Sequence, residues 1–336
     1  MSKLTENIES NIKKTRNIKE SSLRTYMSSL KTLKKQIEPQ DKTGLVNINF
    51  LKDFDKVMNR ISEEKKITSK KNKLTAILVA LNSNISDEES NRSEDNKLID
   101  KYGKELKKLA DKYMVFLKEQ TKTPTQKENW IDYKDLIEVV NQLMKEVKHH
   151  SIAKKKELNK KEYDLLQQLV ILRTYLDFPI RNDFADMKII TKKDFNKLPQ
   201  NDQEQLNYLV LLPKNKKQFY INNFKNQKFM GSKKLDIQPK LNRIINIWLK
   251  YNNSGYFLTK VDRVTPMNPN NITKFLNKIF IKQTGKSIST SLIRHIIISH
   301  LMANEPTIKQ NDIKKQQIED TFLHTQDMNQ LYRKID

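Results

Sequence analysis

Cysteine is absent from the 336 residues. That excludes disulfides, cysteine-ligated zinc and a thiol nucleophile. Glycine is scarce, with five residues in all. A sandwich of many short strands or a glycine-rich phosphate cradle would need more of it. Neither G-x-x-x-x-G-K-[ST] nor G-x-G-x-x-G occurs, which argues against a nucleotide-driven motor. No apolar run approaches the roughly 18 residues needed to span a bilayer. The polar first residues lack the apolar stretch of a secretory signal. The expectation is an intracellular protein with no membrane partner.

What the chain has in excess is positive charge. Lysine and arginine number 64 against 40 acidic residues, for a net charge of +24 and a sequence pI near 9.7. The basic residues run along the whole length rather than collecting in a tail. A folded protein with a long basic surface most often faces nucleic acid. Biased base composition can enrich lysine and asparagine, but it does not explain the excess of charge.

The length allows two domains. Residues 1–20 are polar and read as a flexible basic arm. From Ser21 the spacing predicts a helix through Leu23, Tyr26, Met27, Leu30 and Leu33. Further helices are predicted over 47–61, 68–81 and 97–118, with a polar loop over 82–96. Residues 121–130 combine a proline with polar side chains and no periodicity, so a linker is placed there. The domains expected are a helical unit over 21–121 and a second unit over 122–336. In the second, helices are predicted at 132–147 and 160–174, the latter apolar enough to be buried. Short strand-like runs follow at 187–190, 208–212, 218–222 and 234–237. Gly231 falls between the last two, as in a hairpin. Helices at 241–251, 271–284, 289–304 and from 308 onward complete the reading. The fold class is therefore mainly α with a small antiparallel sheet: a helical domain followed by an α+β one.

The final residues carry a chemical pattern. His324 precedes Tyr332 by eight positions, and Arg294 lies thirty positions before His324. In a chain this basic, Arg, His and Tyr in that order suggest a tyrosine that attacks a phosphodiester. Such an attack needs cationic donors for the charge on the phosphoryl oxygens, a proton for the departing alkoxide and a positioned nucleophile. Arginine meets a phosphate with a planar fork of donors, and lysine serves as the acid.

Four segments carry a family resemblance. Residues 179–190 read PIRNDFADMKII, and 219–226 read FYINNFKN, with LDIQP at 235–239. Residues 289–295 read STSLIRH, and His324 and Tyr332 close the series. Together they resemble the tyrosine recombinase, or phage-type integrase, family. The Arg-Asn-Asp-Phe variant is similar to integrases of large eukaryotic DNA viruses and associated mobile elements. The resemblance implies that Arg181 and Arg294 clamp the scissile phosphate. It implies that Lys225, or next Lys228, protonates the leaving 5′ oxygen, and that His324 hydrogen-bonds a phosphate oxygen. Tyr332 would form a 3′-phosphotyrosyl bond, with neither ATP nor a metal or other cofactor. The partners implied are double-stranded DNA and further copies of the chain, in a tetramer that pairs two duplexes. In the first domain SLRTY at 22–26 and KNKLTAI at 71–77 resemble the family's core-binding domain, which with the catalytic domain forms a clamp around DNA. Lysines 31, 34, 35, 70, 71 and 73 cluster there.

The chain also departs from the family. Ser291 stands where a histidine three residues before the second arginine is usual; a hydroxyl donates a hydrogen bond but accepts a proton poorly. Phe184 occupies the usual acidic position after the first arginine, leaving Asp183 or Asp186 to substitute. The Arg294–His324 spacing is longer than usual, and the His324–Tyr332 spacing is one residue short. His295 matches a family residue with a structural role, and His149, His150 and His300 are expected at the surface or in packing. The other readings are a type IB topoisomerase-like or telomere-resolving enzyme, and a DNA-binding protein that has lost catalysis.

Overall fold

The computed structural model describes residues 8–41, 47–85, 89–304, 322–323, 328 and 331–335. The chain divides into two units, Met1–Glu119 and Gln120–Asp336.

The first unit is helical: α1 (Ile8–Thr15), α2 (Glu20–Ile37), α3 (Phe54–Ser62), α4 (Ile67–Asn82) and α5 (Glu89–Lys118). Part of the expected flexible arm is ordered as α1, because Ile8 and Ile12 share a helix face and are fully buried. Leu23, Met27, Leu30, Leu33 and Ile37 of α2 meet Leu74, Ile77 and Leu81 of α4 in the same core. The helix expected over 47–61 is split. A short 3-10 turn at Asn49–Leu51 precedes α3, whose start is fixed by Asp53 accepting from Lys56 N. Helix α5 starts earlier than the polar composition of 82–96 suggests. Its Tyr102 is completely buried, donating to Leu51 O at 2.8 Å. Two of the clustered lysines are structural rather than outward-facing. Lys34 is buried against Asp41, and Lys73 against Glu64.

The second unit begins with α6 (Pro124–Asn129), α7 (Tyr133–His149) and α8 (Lys160–Asp177). A capping box in which Asn159 and Glu162 satisfy each other's backbone amides starts α8. Leu165, Leu166, Leu169, Val170, Ile171 and Leu172 bury almost the whole circumference of α8. Pro179 prevents its continuation, since the residue before a proline is pushed out of the helical region. The helix ends at Asp177.

After this break come β1 (Lys188–Thr191), α9 (Lys192–Phe195), α10 (Gln200–Gln205), β2 (Tyr208–Leu211), β3 (Lys217–Ile221), α11 (Gln227–Met230) and β4 (Lys233–Asp236). Strands β3 and β4 form the antiparallel hairpin that Gly231 predicts, and β2 pairs antiparallel with β3. Strand β1 lies parallel to β2, so the four-stranded sheet is mixed. The crossover through α9 and α10 accounts for this, because a parallel neighbour needs a long connection where a hairpin needs two residues. Phe178, Phe184, Phe219 and Phe257 join edge to face beneath the sheet, with ring centroids 5.1–6.4 Å apart.

Helices α12 (Pro239–Tyr251), α13 (Pro269–Thr284) and α14 (Thr290–Asn304) complete the unit. Helix α14 is apolar on several faces, with Leu292, Ile293, Ile296, Ile297 and Ile298 buried. Phe322 and Leu323 enter the same core. Lys334 N donates to Ser299 Oγ at 2.7 Å and Ile335 N to Gln120 O at 3.0 Å, which helps tie down the final stretch. Among the described residues no helix is long and apolar enough to cross a membrane.

Candidate active site

Arg294 is the centre of the arrangement. It projects from α14, which is otherwise apolar at this level, and is 2% exposed. A buried guanidinium must be hydrogen-bonded. Its Nε donates to Pro179 O at 2.7 Å, and one terminal nitrogen donates to the Tyr332 hydroxyl at 3.3 Å. The guanidinium carbon lies 4.7 Å from the Tyr332 ring centroid. The first contact fastens α14 to the turn that ends α8, two residues before Arg181.

Arg181 is half-buried in that turn, and its charge reaches both Arg294 and Asp183. Burial lowers the pKa of Arg294; Tyr332 and Asp183 work against that, and Arg181 adds to it. Arginine starts so high that it stays charged. The Asp183 carboxyl is pushed up to about 6, mainly by burial, against the pull of Arg181 and Arg294. Asp186 is exposed. Of the two aspartates considered for the missing acidic position, Asp183 is the less exposed, and its carboxyl responds to the charge of both arginines.

Tyr332 is half-buried and gripped on a second side by His295. The two rings stack at 4.7 Å with 28° between planes, and His295 Nδ1 lies 2.6 Å from Tyr332 O. A carbonyl oxygen only accepts, so Nδ1 carries the proton. Burial holds this ring neutral, with its pKa drawn down to about 4. His295 thus has the structural position expected of it, and its object is the tyrosine.

Asn182 is a residue that sequence reasoning passed over. Its Oδ1 accepts from Tyr175 at 2.9 Å and Thr290 at 2.6 Å, and its Nδ2 donates to Pro269 O at 2.8 Å and Thr273 at 3.0 Å. One amide therefore joins the ends of α8, α13 and α14. Its position beside Arg181 was the only signal in the sequence. His300 also packs, stacked on Tyr133 at 4.0 Å.

The remaining candidates sit less centrally. Lys225 is exposed in the turn between β3 and α11, and Lys228 is exposed on α11. Ser291 is exposed in the first turn of α14. His324 lies outside the described residues. The residue before it, Leu323, is buried with φ +53° and accepts from Asn226 Nδ2 at 3.3 Å. That bond joins the turn carrying Lys225 to the stretch leading into His324. The structure thus brings Arg294, His295 and Tyr332 into contact, with the charges of Arg181 and Asp183 acting on Arg294. It records no contact from Lys225 or Ser291 to that group. Among the described residues, no group of three or more His, Asp or Glu converges as around a metal ion.

No family model matches the sequence, and no curated protein matches it. Among solved structures, the crystal structure of XerA recombinase aligns with 98% of this chain and 94% of that one, at 10% identity and a TM-score of 0.38.

Proposed function

We propose that the chain breaks and rejoins DNA strands through a covalent bond between Tyr332 and a backbone phosphate, as a site-specific recombinase does. The observation that carries this reading is the Tyr332 hydroxyl, 3.3 Å from a guanidinium nitrogen of the buried Arg294. A phosphate bound by Arg294 and Arg181 would lie within reach of that hydroxyl. The charge of +24 supplies the affinity for a polyanion.

In the proposed step the Tyr332 hydroxyl gives up its proton to solvent and its oxygen forms a bond to phosphorus as the bond from phosphorus to the 5′ oxygen breaks. The 5′ oxygen leaves as a hydroxyl, its proton coming from Lys225. The arginines and His324 meet the charge on the non-bridging oxygens. Asp183 keeps Arg181 and Arg294 in register, and His295 fixes the tyrosine from behind. Attack by another strand's 5′-hydroxyl reverses the bond, so the energy is conserved without ATP. Two duplexes paired by four copies of the chain would provide that second strand.

The test uses nicked suicide duplexes, in which the departing strand is lost and the adduct accumulates. Wild type should give an SDS-resistant protein–DNA adduct, and Tyr332→Phe none while still binding DNA. An adduct formed by Tyr332→Phe, or none by wild type on its own element's ends, rejects the proposal. Relaxation of supercoiled plasmid lacking any specific site would assign the same chemistry to a type IB topoisomerase instead.

A further inference from the structure

The connection between β3 and β4 holds out an aromatic ring. Phe229 is 91% exposed, more than any other exposed large hydrophobic side chain among the described residues. Isolated exposed apolar residues are ordinary, but the surroundings of this one are not. From 222 to 235 the sequence NNFKNQKFMGSKKL contains four lysines and no acidic residue.

The turn is firmly built. Phe224 is buried at its start, and Met230 packs on the core at its end. Asn222 donates to Gln203 O at 2.6 Å and Leu206 O at 3.1 Å. Asn226 O accepts from both Phe229 N and Met230 N at 3.0 and 3.1 Å, and Gly231 N donates to Gln227 O at 2.8 Å. Gly231, at φ +66°, takes a conformation few other residues adopt, which lets the chain enter β4 directly after the short helix. With both flanks anchored, Phe229 is kept out of the core next to residues that enter it.

We infer that Phe229 is a stacking wedge: its ring enters DNA beside the cleaved phosphate and stacks on a base, while Lys225, Lys228 and Lys234 engage the flanking backbone. This rests on the DNA-cleaving reading above. An exposed aromatic ring in a segment whose charged residues are all lysines matches the chemistry of a nucleic acid, which offers flat π-faces between phosphates. A protein partner for an apolar anchor would favour a rim of mixed polarity. The position also fits, because the same turn carries Lys225 and is bonded through Asn226 to the residue preceding His324. Unstacking at that point would loosen the strand end that must depart.

The experiment uses the full chain and a nicked duplex with 2-aminopurine on either side of the nick. Wild type and Phe229→Trp should raise the 2-aminopurine fluorescence. Phe229→Ala should abolish the rise and weaken binding about tenfold or more. Both variants should keep the wild-type circular dichroism, since the ring supports no core. Equal fluorescence and affinity for wild type and Phe229→Ala would overturn the wedge while leaving adduct formation intact. If wild type bound no DNA, the wider reading would fall with it. A Phe229→Ala change in the mass of DNA-free assemblies would place the ring in a protein contact and also overturn the inference.

Discussion

At the scale of single residues, two half-buried groups, His295 against Tyr332 and Asp183 in the turn after α8, titrate with opposite pH responses. His295 falls from the usual 6.5 to about 4 in the folded chain. Between those values the unfolded chain binds a proton that the folded chain refuses. The stability tied to the neutral ring is therefore complete above about pH 6.5 and is lost as pH falls towards 4. Asp183 rises from 3.8 to about 6. In that window the folded chain holds a proton the unfolded chain has released, so its contribution is complete below about pH 3.8 and is lost as pH rises to 6. The two nearly cancel in wild type, and single substitutions should expose each. Relative to wild type, His295→Gln should gain about 1–2 kcal/mol as pH falls from 6.5 to 4, and Asp183→Asn a similar amount as pH rises from 4 to 6. Urea midpoints across pH measure both, and parallel curves for variant and wild type would contradict the burial of these groups. Tyr332 and Arg294 stand out in the sequence because their types and order suggest chemistry. The tyrosine's support by His295 does not, since the contact crosses from helix to tail.

At the scale of elements, the site depends on where helices stop. Helix α8 ends because Pro179 follows Phe178, and that break sets Arg181 beside the carbonyl that Arg294 grips. Asn182 then fastens the break to α13 and α14. Replacing it with alanine leaves the buried Tyr175 and Thr290 hydroxyls without their shared acceptor. The expected loss is about 2–4 kcal/mol, seen as a thermal midpoint roughly 5–15 °C lower for a unit of this size. Adduct formation should fall with it, even at temperatures where the variant is folded. A variant as stable as wild type would show that the four bonds are dispensable. The break and the hairpin were legible in local composition. The parallel placement of β1 was not, because strand direction follows from the crossover and leaves no mark in the strand itself. Helix α1 was missed because two isoleucines in a polar stretch give no period until a neighbouring helix covers them.

At the scale of the whole molecule, charge governs. A surplus of +24 predicts DNA affinity dominated by counterion release. Raising salt from about 50 to 200 mM should weaken binding by about a thousandfold or more, with a linear log–log dependence. Filter binding or fluorescence anisotropy on random duplex measures this. A slope near zero would show that the lysines do not face phosphate. Lys34 and Lys73, paired and buried, are not expected to contribute to the slope.

The sequence alone determined the excess of positive charge, the helical character, the hairpin and the order of arginine, histidine and tyrosine on which the proposed function rests. These follow from composition, period and order, which are local or additive. Only the tertiary structure decided that Arg294 would be buried against Tyr332, that Asp183 would respond to the charge of Arg294, and that His295 would stack on the tyrosine. Each joins positions far apart in the chain, so it exists only once the helices have packed and excluded water from the charges between them.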